Sequence, residues 1–568
     1  MHRRSLRILA SSVATAVIMT GATYFDGIPQ AAALAIHRGG TIVDALPPQV
    51  DINWYLPLRP NAYNSLYDAW ASGLMYKGLY HIDPNVQINY SRSIASSIKW
   101  NSAGTVFTVD LNPKWHWSNG QPVTASDVQF TWNLINAASA NNAPAPWPYA
   151  GADSGGIPND VKAFKVVNPH EFQVMLNQSV NQIWFEYNGL GDFIPLPEKA
   201  WDKYPTNMDK ELTYLANNGN NPSFFSVIDG PFKMVSAVQN VAWRFSPNPA
   251  YDGHKPYLSS FVLAYETSDT AEVSALKTGV VQVGYLPAYM YGSRSQLTGD
   301  RLFPSYTFSM PVTRFNFKSP TMGSIFKQLP VRQALMMGVD QESIIKDLYN
   351  GLAVPGTGPI PSHPDTFLSP KLHKPLYPFD IAAGKALLEK NGWHEVGGVM
   401  QNAKGQQLSF EVQYPSGNTT TSAEVQLLQQ DWLQEGIKVT LLPLPFATLL
   451  HYHHEPSKWQ VQAGIAWSYG GTYPTGGGIY GTGGGYNFFG YSNSTMDKLI
   501  KATHEPHPTA ADAQAALNAY SLFAAQQLPN LYMPLPASLN EVSLTVHGVE
   551  SSSNPFTNSI SPQYWWTN

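Results

Sequence analysis

SIASSIKWNSAGTVFTVDLNPKWHWSNGQPVTASDVQFTWNLI, residues 93–135, contains a strand, a tight turn and a capped helix in one uninterrupted run. In TVFTVDL, Phe107, Val109 and Leu111 alternate with polar residues, and a period of two marks a strand with one buried face. The loop PKWHWSNGQPV follows, with Asn119-Gly120 as the turn signal. Thr124 and Asp127 then stand at the spacing of a capping box, ahead of an apolar run. Val128, Thr131, Trp132 and Ile135 fall at i, i+3, i+4 and i+7, which is one face of a helix.

The same reading extends in both directions. Upstream, residues 41–46 form a short apolar strand, and DINWYLPLRPNAYNSLYDAW is turn-rich with Trp54 and Tyr55 inside it. Downstream, the alternating runs AFKVV and EFQVML flank Asn168-Pro169 and predict a hairpin. VIDGPFKMV, VAWRFSPNP and SFVLAYE read as strands, and Asp269–Thr278 as a helix closed by Gly279. Past Arg314 the pattern turns to α/β. FNF (315–317) is a strand, 330–338 and 381–392 are helices, and LSFEVQY, residues 422–435 and IKVTLL form a strand–helix–strand unit. Such a unit calls for a parallel strand pair with a right-handed crossover. Residues 468–487 include GGTYPTGGGIYGTGGGYN, too long and glycine-rich for an ordinary connector; it is either functional or a mobile surface insertion. Helical signal returns over 496–528, and LYMPL gives a final strand.

At 568 residues the chain has room for about three or four domains. Hydrophobic residues are 43%, enough for a sizeable core, while charged residues are only 13% against a usual share of about 25%. The balance of 34 basic and 39 acidic residues excludes a general nucleic-acid binder, which needs a basic surface to displace counterions from phosphates. Cysteine is absent, so disulfides, thiolate metal sites, Cys nucleophiles and a lipid-modified Cys are excluded. Arg3, Arg4 and Arg7, an apolar run over 8–22 and the small residues Ala33-Leu34-Ala35 form a secretory signal over 1–35, with a retained N-terminal anchor as the alternative. Both place the bulk of the chain outside the cytoplasm. The low charge density suits an acidic exterior, where carboxylates approach their reference pKa of about 4.

A search for chemistry finds little. No G-x-x-x-x-G-K-[ST] cradle, H-E-x-x-H pair or G-x-S-x-G elbow occurs. His451, His453 and His454 in HYHHEP could share a divalent ion, but a solvated loop or helix end is the simpler reading, so no metal site is expected. Carboxylates are too scattered to nominate an acid/base pair. No catalytic residue and no cofactor is expected.

Five ordered blocks nevertheless resemble one family: the extracytoplasmic solute-binding proteins of ABC importers, family 5, the oligopeptide/dipeptide/nickel-binding type. The first is MYKGLYHIDPN with the stretch quoted at the outset, whose Trp117, Gly120, Pro122, Thr124, Ala125, Asp127 and Val128 match the family core W-x-x-G-x-P-x-T-A-x-D-V. IDGPFKMV resembles the family's G-[TS]-G-P-[FY] turn, with Val227, Ile228 and Asp229 in place of its small residues. LPVRQALMMGVDQESIIKDLYNGLAVPGTGPIP, YPFDIAAGKALLEKNGW and FFGYSNSTMDKLIKA resemble the remaining three.

The resemblance implies an α/β fold of the periplasmic-binding-protein type II class: two lobes with mixed sheets, joined by two crossing connections, with an extra domain. Lobe one would comprise 36–76, 222–311 and 531–568, the extra domain 77–221, and lobe two 312–530. It implies a monomer that captures a peptide by hinge closure and delivers it to ABC permease subunits served by a separate ATPase. It also implies a periplasmic or cell-surface location, without a lipidated Cys and without a nucleic-acid partner. Peptide-binding members carry an Asp for the ligand's α-ammonium in a W-x-x-D-Y-P-like stretch; here, by the Tyr473-Pro474 anchor, Thr472 takes its place. An oligosaccharide or other uncharged solute is therefore an alternative ligand, since a buried ammonium without a counter-charge costs several kcal/mol. A sensor or hydrolase on the same fold is a further alternative. The residues expected to bind ligand are Trp54, Tyr55, Trp467, Tyr469, Thr472, Tyr473 and Asn487, the aromatics as flat walls and Thr472 and Asn487 as directed hydrogen-bonding groups.

Overall fold

In the computed structural model, residues 36–453 and 455–568 are described; the signal expected over 1–35 and His454 of the histidine cluster lie outside the described residues. The stretch 93–135 folds as its pattern predicts. Strand Val106–Leu111 buries Phe107, Val109 and Leu111. It lies between Ala95–Trp100 and Glu171–Leu176, and Val161–Asn168 completes a four-stranded antiparallel sheet. The helix Ala125–Ala138 begins with the full capping box, in which the Thr124 backbone N–H donates to Asp127 Oδ2 at 2.8 Å. Asp127 also accepts from the Trp117 indole at 3.3 Å and from the Glu198 backbone at 3.1 Å. The W…T…D spacing of this block is thus a single buried hydrogen-bonded unit joining loop, helix and a later segment.

Two larger mixed sheets organise the rest. The first has seven strands in the order Asp300–Ser305, Ser538–Ser543, Val283–Tyr285, Thr41–Ala45, Ser260–Ala264, Ala242–Pro247, Phe232–Val238. Thr41–Ala45 is parallel to both of its neighbours; the other pairs are antiparallel. The second has five strands: Lys438–Leu444, Ser409–Pro415, Val461–Ser468, Ser309–Phe315 and Asn530–Tyr532. Ser409–Pro415 and Lys438–Leu444 are parallel, with Phe410 opposite Val439, and helix Thr419–Gln434 connects them. The chain passes between the two sheets twice, from Ser305 to Ser309 and from Tyr532 to Ser538. Among the described residues no helix is long and apolar enough to cross a membrane.

Three sequence expectations need correcting. The strand expected at FNF runs over Ser309–Phe315 instead; Asn316 leaves it because its amide ties down a loop, donating to Pro456 O and Trp459 O at 2.8 Å each. The helix expected from 422 starts at Thr419, because the Asn418 side chain caps it by accepting from Thr421 N at 2.9 Å. LYMPL is not the last strand: Ser538–Ser543 follows and joins the first sheet. Its apolar period is broken by Glu541, which is fully buried and ion-paired with Arg294 at 2.6 Å. No local pattern announces a charge whose partner is so far away in sequence.

Two glycines are set by close approach. Gly230, in the IDGPF turn, donates to Met75 O at 2.7 Å, and a Cβ there would lie 2.5 Å from Leu74 O. Gly484 in the glycine-rich segment would place a Cβ 2.5 Å from Gly477 O. That segment is pinned rather than loose. It contains the helical turn Gly477–Tyr480, and Tyr480 is buried with its hydroxyl donating to Asn530 at 2.6 Å.

Candidate functional site

A cavity of about 560 Å³ lies where the two sheets face one another. From the first sheet it is bordered by Asp44 and Ala45, Val283–Tyr285, Phe303, Ser305 and 538–540; from the second by 464–466, 418, 420, 421 and Glu424 of the Thr419–Gln434 helix, with Tyr349 beside it. Both passages between the sheets, at Ser305–Thr307 and Met533–Ala537, contribute to its wall. Its size is within the usual range for small-ligand sites. Tyr67, Trp70, Tyr285, Tyr306 and Trp565 supply aromatic surface.

The charged residues on this wall are Asp44, Asp269 and Glu424; it carries no Lys, Arg or His. In TIVDA, Asp44 falls on the same strand face as Ile42, where the alternation of a core strand calls for another apolar residue. It is 5% exposed, and burial pushes its carboxyl well above the ordinary range. Glu424, on the second turn of its helix, accepts from the Tyr349 hydroxyl at 2.9 Å. Burial raises it to about 7, against the opposing pull of that hydrogen bond. Asp269, half-buried at the start of its helix, accepts from the Tyr285 hydroxyl at 2.9 Å. Behind it Glu272 is fully buried; it accepts from Tyr285 N at 2.8 Å and is raised to about 9, first by burial.

None of the seven residues nominated from sequence borders this cavity. Trp54 is 3% exposed, donates its indole N–H to Leu58 O at 2.8 Å and stacks on Tyr63 at 4.8 Å. Tyr55 is buried beside Phe225, its hydroxyl accepting from the Trp243 indole at 3.2 Å. Both are core residues. Tyr469 is buried against Phe308 and donates to Pro359 O at 2.5 Å. The Thr472 hydroxyl closes a turn on Tyr469 O at 2.6 Å, so its lack of charge does not bear on the charge of the cavity. Asn487 spends its whole amide on the glycine-rich turn, donating to Gly481 O and Tyr491 O and accepting from Gly490 N and Tyr491 N. Trp467 is half-buried, packs on Tyr486 at 4.6 Å, and its indole N–H has no hydrogen-bond partner among the described residues. Tyr473 is held by Asn188, whose side chain accepts from Tyr473 N at 2.7 Å and donates to Tyr473 O at 3.0 Å. An Asp in the middle of an apolar strand was the one signal that could have pointed to Asp44.

Of the histidine cluster, the two described residues do not converge. His451 faces Glu455 at 3.3 Å, whereas His453 stacks on Phe488 and lies 3.0 Å from Gln462 Oε1.

The family model of bacterial extracellular solute-binding proteins, family 5 Middle, matches residues 89–488. The chain belongs to this family. Its members are extracytoplasmic binding proteins, and the two sheets with their double connection are the α/β two-lobe fold of that family. The chain is similar to the oligopeptide-binding protein AppA of Bacillus subtilis (strain 168), 24% identical over 498 residues, covering 85% of this chain and 86% of that protein. In structure it resembles Bacillus subtilis AppA in complex with a nonapeptide, with a TM-score of 0.78, 18% identity, and coverage of 94% of this chain and 100% of that one. It also resembles NikZ from Campylobacter jejuni in complex with Ni(L-His), with a TM-score of 0.74, 16% identity, and coverage of 93% and 99%.

Proposed function

We propose that the chain is the solute-capturing component of an ABC importer, which closes on a peptide in the cavity between the two sheets and hands it to a membrane permease driven by a separate ATPase. The observation that carries this reading is the position of the cavity. It lies between two sheets between which the chain passes twice, so a ligand touching both walls favours the closed arrangement by its differential affinity. The oligopeptide-binding relatives point to the same guest class.

In this reading lobe one comprises 36–76, 222–311 and 531–568, the extra domain 77–221, and lobe two 312–530. The protein acts as a monomer outside the cytoplasm, and performs no bond-making. The cavity-lining tyrosines, Trp70 and Trp565 contact the guest.

The test is to denature the purified protein, identify the released ligand by mass spectrometry, and measure solution scattering with and without a binding peptide. A co-purifying peptide and a smaller radius of gyration on rebinding are expected. Turnover of the peptide, or a shape indifferent to every bound solute, overturns the reading.

A further inference from the structure

We propose that Arg314 holds a small monovalent anion, of the chloride kind, as an integral counter-ion that fastens the glycine-rich segment to the five-stranded sheet. Arg314 lies in strand Ser309–Phe315, opposite Gln462 on one neighbouring strand and Asn530 on the other. It is 6% exposed, and among the described residues it has no ion pair and no hydrogen bond. Its contacts are with rings: the guanidinium carbon stands 4.9 Å from the centroid of Phe488 and 5.2 Å from that of Phe489. A ring quadrupole offsets part of the charge and gives the N–H donors no oxygen to bond. The flanking amides are engaged elsewhere. Gln462 Oε1 lies 3.0 Å from His453 Nε2, and Asn530 Oδ1 accepts from the Tyr480 hydroxyl at 2.6 Å. Tyr480 is the titratable group that reaches Arg314; burial pushes its hydroxyl up, so it brings no negative charge.

Arg332 shows how this chain satisfies a buried guanidinium from its own atoms. It is 3% exposed and donates to Phe326 O at 2.6 Å and to Gln527 O at 3.0 and 2.8 Å. Arg314 has no such carbonyls. Burial lowers its pKa only to about 10, so it stays charged at neutral pH. A buried charge without a partner is costly, and a buried donor without an acceptor calls for a bound water or ion. Water answers the donors and leaves the charge; a monovalent anion answers both. The occupant is small, because Nε is sealed off and only the terminal nitrogens keep accessible surface. One negative charge balances one guanidinium, whereas a divalent anion would bury an excess. Phe488 and Phe489 follow the glycine-rich segment and Tyr480 lies within it, so the anion would tie that segment down. Neither Arg314 nor the two Phe residues border the cavity between the sheets, so the inference stands whatever solute that cavity takes.

The test uses the full mature chain, dialysed free of halide. In crystals grown with sodium bromide, an anomalous-scattering peak is expected at hydrogen-bonding distance from the Arg314 terminal nitrogens. Density there without anomalous signal is water and overturns the proposal, as does bromide at surface positions alone, an adventitious ion only. In solution the melting temperature should be about 2–4 °C higher in sodium chloride than in sodium gluconate of equal ionic strength. Arg314→Met removes the charge and keeps a flexible stem, and should melt at one temperature in both salts. Equal melting of the unaltered protein in both salts overturns the anion site without any variant having to fold, and so does a variant that keeps the whole difference.

Discussion

Replacing Asn188 with alanine cuts a two-point contact between the segment that follows the four-stranded sheet and the glycine-rich segment. The Asn188 amide receives the Tyr473 N–H at 2.7 Å and donates to the Tyr473 carbonyl at 3.0 Å, and both residues are more than nine-tenths buried. Two hydrogen bonds at a net ~1 kcal/mol each set a lower figure of about 2 kcal/mol; if the two stranded backbone groups stay dry, the loss reaches roughly 4 kcal/mol. Under the proposed hinge closure and lobe division the contact would span the two lobes and belong to the closed form, so the loss should fall on ligand binding. At 1.4 kcal/mol per tenfold, affinity should drop roughly 30- to 700-fold while the melting temperature of the ligand-free protein hardly moves. Titration calorimetry with a binding peptide, paired with a thermal melt of stripped protein, reads both numbers. A stripped protein that melts several degrees lower while binding with unchanged affinity would show that the contact is ordinary core cement and that closure does not run through it. The neighbouring Asn181, which donates to Thr503 O at 2.9 Å, should behave in the same way.

Three further outcomes follow from the same geometry. Trp54→Ala should cost about 3–5 kcal/mol of stability by opening a hole beside Tyr63 and Trp147, and should leave the affinity of the surviving folded protein unchanged; chemical denaturation checks it. Asp229→Ala strips the acceptor from Lys77 N, 3.0 Å away in the IDGPF turn, and should cost about 1–3 kcal/mol by the same assay. The third is a pH profile. Burial raises the folded-state pKa of Glu272 and Glu435 to about 9 and of Glu186 to about 7, all above the unfolded value of about 4.3. The folded protein keeps protons that the unfolded chain releases, so these groups add stability that is complete below about pH 4 and is lost as pH climbs toward 9. Buried His504 and His81, lowered to about 3 and 4, act oppositely below about pH 6.5, where the unfolded chain takes up their protons first. The melting temperature should therefore be higher at pH 6 than at pH 8.5, and a rise across that interval would contradict the burial of these carboxylates.

Local structure was legible in proportion to how much of its stabilisation comes from neighbours in sequence. The capping box at Thr124 and Asp127, the helix Asp269–Thr278 closed by Gly279, the hairpin about Asn168-Pro169 and the parallel pair flanking Thr419–Gln434 all rest on patterns a few residues long. Ser538–Ser543 was missed because its buried Glu541 is neutralised by Arg294, and no period of two survives such a substitution. The site was harder still. Aromatic residues near the resemblance blocks were the natural guesses, but a buried Trp or Tyr looks the same in sequence whether its ring meets a guest or Phe225.

Read alone, the residues establish an extracytoplasmic solute-binding chain of mixed α/β architecture, because family blocks, turn glycines and apolar periods are written in short-range order. Which side chains line the cavity between the sheets was decided only when strands from three distant parts of the chain came together as one sheet. The reason is electrostatic as much as geometric: the Asp44 carboxyl is raised because the surrounding protein removes its water. That removal is the work of elements hundreds of residues away.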